Sequence, residues 1–161
     1  MPRRLLRDGE VVVDDWRTSG ESGADDDSAL LLTLDQWLAD RERWIRRGGR
    51  LGVTLAPAHR VEMLVADLAR FSLIAVEFPG PSEGRGYTQG RLLRERWRFT
   101  GELRATGAIG RDHIFFLARC GFNSFELPDR EIESAAAAFS TFSAAYQPSN
   151  DAGLVAPLQH R

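Results

Sequence analysis

Apolar positions along the chain switch between two periods, and the order of the switches sets the expected architecture. Leu5 and Leu6 and then Val11 to Val13 are short apolar runs separated by Asp8-Gly9. That dipeptide suits the left-handed dihedrals of a tight turn, so residues 1–17 are expected to form an N-terminal β-hairpin. Residues 18–29 lose the pattern, carry Glu21 and Asp25 to Asp27, and are expected to be an exposed acidic loop. Thr33 followed by Gln36 then forms a capping-box pattern. Trp37, Leu38, Arg41, Trp44 and Ile45 recur at helical spacing until Gly48-Gly49.

Four strand-like runs follow: 51–55, 73–78, 102–106 and 124–127. Each leads into a helical pattern, respectively 59–70, 86–98, 111–120 and 129–146. Val61, Leu64, Val65 and Leu68 mark the first helix, and Ala135, Phe139, Phe142 and Tyr146 the last. Strand and helix alternating in this way predict βαβ units, in which right-handed crossovers lay helices over parallel strands. The expectation is an α/β fold on a mainly parallel sheet, either open or an incomplete (β/α) barrel, which periodicity does not distinguish. Residues 30–146 are read as one domain and 147–161, which lack a period, as a poorly ordered tail.

Composition narrows the function classes. With 43% apolar and 27% charged residues the chain of 161 belongs with globular proteins. All 21 basic residues are arginine, as a genome biased toward Arg codons produces, and the net charge of -2 gives no reason to expect nucleic-acid binding. One cysteine, Cys120, cannot form an internal disulfide, which favours a cytoplasmic setting. Residues 1–7 are basic without an apolar run of signal length, and no stretch reaches the roughly 20 apolar residues of a membrane span. His59, His113 and His160 are too scattered for a metal site. No cofactor motif is evident, with flavin and nicotinamide left open.

Candidate chemistry gathers where strands meet helices. The glycine-rich loop 79–88 places Arg85 and Tyr87 near free helix N–H groups, as an anion site or as a demanding connection. In the helix after it, Tyr87, Arg91, Arg94 and Arg98 form a stripe, read as a solvated surface or a dock for an acidic partner. Glu102, Arg104 and Thr106 share one face of a strand that should be apolar on both faces. Glu77 and Glu126 are acidic positions in two further strands, so these groups form either a paired buried cluster or the floor of a polar pocket. Asp112 and His113 open the next helix. His113 and Cys120 lie two turns apart, about 10 Å, too far for a nucleophile and its base.

These residues also carry a resemblance. Glu83 to Thr88, Arg91 to Arg94, Gly101 to Ala105, Gly107, Asp112, Arg119 to Phe122 and Phe125 to Leu127 resemble the bacterial domain-of-unknown-function family 934, commonly labelled an oxidoreductase of sulfite reduction. The similarity covers roughly 30–146, with Glu83 and His113 as departures from the family pattern. It implies an accessory role in assimilatory sulfite reduction, with sulfite reductase or another sulfur-assimilation protein as partner, and implies no catalytic residue. Against it stand a small-molecule enzyme with a polar pocket of Glu77, Arg85, Glu102, Arg104 and Glu126, and a structural domain that forms homo-oligomers without a ligand.

Overall fold

The computed structural model describes residues 3–20, 27–80 and 84–145. Glu83, most of the acidic run, Tyr146 and the expected tail lie outside these residues. Strands β1 (Arg4–Arg7) and β2 (Glu10–Val13) form the hairpin, and Asp8 (φ 52°) and Gly9 (φ 84°) turn it. The remaining strands are β3 (Arg17–Thr18), β4 (Leu30–Thr33), β5 (Leu51–Leu55), β6 (Leu73–Phe78), β7 (Glu102–Gly107) and β8 (Ser124–Phe125). They form one eight-stranded sheet in the order β2-β1-β8-β7-β6-β5-β4-β3.

From β3 to β8 the pairing is parallel and follows chain order, and β1 joins antiparallel to β8. Because every crossover steps in the same direction, the right-handed rule puts every connecting helix on one face. An open doubly wound sheet reverses direction and covers both faces, whereas this order curls the sheet into a half-barrel. Periodicity had left these two closures open.

Burial follows that geometry. Leu30, Leu32, Leu51, Val53, Leu55, Ile74, Val76, Phe78, Leu103, Ala105 and Phe125 face the helices in the main core. The convex layer begins with α1 (Leu34–Ala39), whose Thr33 and Gln36 complete the capping box. The chain breaks at Asp40 before α2 (Arg41–Arg46), and the Trp44 indole donates to the Gln36 carbonyl across that break at 2.9 Å. Residues Val61–Arg70 wind as a 3-10 helix, whose three-residue period buries Val61, Leu64 and Asp67. The α-helical stripe expected there missed Asp67, while Leu68, which it included, is half-buried against the core. Helix α3 (Arg85–Arg91) runs into a π-helical turn (Leu92–Arg96), α4 (Ile114–Arg119) follows a 3-10 turn (Arg111–His113), and α5 (Asp129–Ala145) covers the hairpin side. Strand β4 was not expected, because three consecutive leucines show no alternation.

Candidate functional site

The concave face of the half-barrel is built from the alternate strand residues, and the register stacks them in layers. Leu31, Gly52, Leu73 and Glu102 form the amino-end layer. Gly52 leaves room for close packing there, since a Cβ would lie a tight 3.1 Å from Trp16 Cζ3 and from Leu73. Trp16 therefore sits on the sheet floor with Leu73, Ala29 and Leu31 and closes that end with an apolar plug.

The middle layer runs Thr33, Thr54, Ala75, Arg104, Ser124 and Arg7. Arg104 is 1% exposed, and a buried cation persists only when its hydrogen bonds and charge are met. Its Nε and Nη2 donate to Glu102 Oε2 at 3.2 and 2.9 Å, and its Nη1 donates to Asp14 Oδ2 at 3.3 Å. Glu126 Oε2 stands 3.9 Å from the same Nη1. The outer ends of the network are held by Arg3, 3.5 Å from Asp14, and Arg7, 3.5 Å from Glu102. Exposure falls from Glu126 (35%) through Glu102 (11%) to Asp14 (2%), so the carboxylates are sealed around Arg104 except at Glu126, and the network also reaches solvent through Arg3 and Arg7 at its outer ends.

At the carboxyl ends Glu77 lies opposite Thr106 in register, Glu77 exposed and Thr106 half-buried. A cleft of about 500 Å³ opens beside them, lined by Arg3, Arg4, Thr106, Gly107, Glu126, Leu127, Pro128 and Asp129. Arg4 is drawn to α5, pairing with Glu133 at 2.6 Å and Asp129 at 3.9 Å. The fold thus brings Glu102, Arg104 and Glu126 into contact and sets Glu77 one strand away from the cleft wall.

A family model described as bacterial protein of unknown function (DUF934) matches residues 52–155. The chain belongs to that family. No curated protein matches it. The family description carries no activity, cofactor or partner, and the matched span begins after Arg3, Arg7, Asp14 and Trp16.

Other candidate residues of this DUF934 protein stand apart from the cleft. Arg94 does not belong to an outer stripe. It is buried, and it donates from Nε to the Gly121 carbonyl (2.8 Å), from Nη1 to those of Phe99 (2.7 Å) and Gly101 (2.8 Å), and from Nη2 to Asn123 Oδ1 (3.1 Å). The π turn is the cause. Trp97 N–H bonds to the Leu92 carbonyl, and the wider turn points Leu93 and Arg94 inward together. Arg91 and Arg98 are exposed, and Arg98 takes a left-handed backbone (φ 57°) at the end of the turn.

Tyr87 is packed edge-on against Phe78 (centroids 5.1 Å apart) and against Phe116 (5.0 Å). Arg85 is exposed at the start of α3. His113 Nδ1 accepts the Gly110 N–H at 2.9 Å, which leaves the proton of a neutral ring on Nε2 and makes this histidine a local cap. Asp112 is exposed in the same turn. Burial pushes the Cys120 thiol pKa up, with Arg91 opposing, so the thiolate is disfavoured.

Asp14, Arg3, Arg7 and Asn123 were not among the expected site residues. Asp14 meets Arg104 from 90 residues away in sequence, and nothing local to Val13-Asp14-Asp15 signals it. Asn123 accepts from Leu103 N–H (2.8 Å) and from Arg94, and donates to Asp8 Oδ1 (3.1 Å), so it fastens β7, β8 and the hairpin turn together. Its position inside the Cys120 to Leu127 run was the only available signal.

Proposed function

We propose that this DUF934 protein binds a small polar molecule at the carboxyl ends of β6, β7 and β8. The observation that carries this reading is the change of character along the concave face. Its amino end is plugged by Trp16 and Leu73, its middle is neutralised around Arg104, and its carboxyl end presents Glu77, Thr106 and Glu126 to solvent beside a cleft. Parallel strands are normally apolar on both faces, and α/β folds bind ligands at strand carboxyl ends. In this reading Glu77 and Glu126 accept from ligand hydroxyl or ammonium groups, Arg3 meets an anionic group, and Arg104 positions Glu126.

Amide-resolved NMR titration with a panel of amino acids, polyols and small carboxylates tests it. The expected outcome is a ligand whose shifts map to Glu77, Thr106, Gly107 and Glu126 and which Glu126→Gln weakens at least tenfold. Shifts confined to the helical face, or none across the panel, overturn it.

A second reading is docking on sulfite reductase or an associated redox protein, supported by the exposed arginines Arg91, Arg96 and Arg98 around the π turn. Its test is charge reversal at Arg91 and Arg98 with Arg94 untouched. Unchanged association with purified sulfite reductase counts against it.

A further inference from the structure

Strand β2 is the outermost strand on its side of the sheet. The two-residue turn Asp8-Gly9 makes Arg7 and Glu10 a hydrogen-bonded pair, and alternation makes Leu5 and Val12 the next. Asp14 N–H bonds to the Arg3 carbonyl at 2.8 Å, which continues the same parity. The N–H and C=O groups of Val11 and Val13 therefore face away from β1, and among the described residues they have no hydrogen-bond partner.

Exposed strand edges are usually protected by lysine, proline, a bulge or a covering element. This edge is Glu10-Val11-Val12-Val13, with three β-branched residues and Val13 56% exposed. It is also self-complementary. Rotated about a two-fold axis at Val12, it places Val11 of one copy opposite Val13 of the other, and both residues present outward donors and acceptors. Four backbone hydrogen bonds result, and the exposed Val13 side chain gains Val11 of the second copy as its cross-strand neighbour.

The register also sets Glu10 opposite the second copy's Asp14, a like-charged pair that is tolerated because the Asp14 carboxylate is 2% exposed and already neutralised by Arg104 at 3.3 Å and Arg3 at 3.5 Å. Four hydrogen bonds and a few valines do not reach the roughly 1,200 Å² of a stable interface, so α5, which lies over the hairpin, must also take part. Its exposed positions from Ser134 to Thr141 are Ser134, Ala137, Ser140 and Thr141, all small enough for a second helix to approach closely.

We infer that the chain forms a two-fold dimer in which β2 pairs antiparallel with β2 of a second copy, joining the two half-barrel sheets into one. Sedimentation equilibrium of the full chain should give a dimer. Val13→Pro removes an outward N–H from each copy and leaves the β1–β2 bonds intact. Two lost hydrogen bonds should raise the dissociation constant on the order of 30-fold with an unchanged circular dichroism spectrum. Val12→Pro, one residue away, should break the hairpin instead.

Crosslinking supplies an independent measurement. In a Cys120→Ser background, Val12→Cys sits on the two-fold axis as a non-hydrogen-bonded pair, with Cα atoms about 4.5 Å apart, and should oxidise to a covalent dimer. Val11→Cys, which faces Val13 of the second copy, should not. A monomer at every concentration, a dimer that Val13→Pro leaves intact, or equal crosslinking by the two cysteine variants overturns the inference.

Discussion

Replacing Arg94 with alanine should be among the most damaging single changes in the protein, although sequence pattern places Arg94 on a solvated stripe. The guanidinium serves three backbone carbonyls, of Gly121, Phe99 and Gly101, and the Asn123 side chain. An acceptor left unsatisfied in the interior costs about 1–3 kcal/mol. Water entering the vacated space recovers part of that, and deleting the cation removes its own desolvation cost. The net loss should be about 3–5 kcal/mol, against a total stability of roughly 5–15 kcal/mol for a domain.

Urea unfolding followed by tryptophan fluorescence measures this as a lowered midpoint at constant slope. Arg94→Lys keeps the charge but delivers its donors from one point, so it should lie between wild type and alanine. An Arg94→Ala variant within about 1 kcal/mol of wild type would refute the reasoning, because surface substitutions behave that way. Loss of partner binding after charge reversal at Arg94 would therefore report unfolding, which is why the docking test leaves this residue alone.

Two further outcomes are expected. Gly90→Ala should destabilise by about 1–3 kcal/mol despite alanine's better helix propensity, since a Cβ there would lie 2.4 Å from Phe122 Cε2; thermal melting checks it, and a raised melting temperature would contradict the close packing. The Asp67 carboxyl pKa is held below its ordinary value, first by the hydrogen bond from the Arg41 side chain and against its own desolvation. A depressed folded-state pKa contributes stability that is present above about pH 4, the unfolded value, and is lost as pH falls through the folded one. Asp67→Asn should lower the urea midpoint at neutral pH, and the gap from wild type should narrow in acid. A gap that does not change with pH would rule out this linkage.

Local legibility was high where one interaction dominates. Asp8-Gly9 announces its turn because few residue pairs take two positive φ values, and Thr33 with Gln36 announces a helix start because both partners lie within one turn. Gly86 and Gly90 read correctly as a close-approach face, since a Cβ at either would strike Phe78 or Phe122. Helical phase was less legible. The 3-10 winding of Val61–Arg70 buries Asp67, which pairs with Arg41, and the π turn buries Arg94, because packing selects the number of residues per turn.

For the candidate site, the sequence marked Glu102, Arg104 and Glu126 as anomalies, because charge on an interior parallel strand is costly and demands a cause. It did not name Asp14 and Arg3, the partners from the hairpin, because their contacts depend on β1 reaching back to pair with β8.

The sequence by itself determined that strands and helices alternate, that a hairpin precedes them, and that the chain carries misplaced charge along β7. Those conclusions rest on side-chain periodicity and turn chemistry, which act over a few residues. Tertiary structure alone decided that the sheet curls into a half-barrel, that Arg94 turns inward while Arg91 and Arg98 stay out, and that the carboxylates around Arg104 are sealed except at Glu126. Each of these depends on which distant groups share a low-dielectric interior, and the electrostatic cost of burial is set by those neighbours rather than by the local chain.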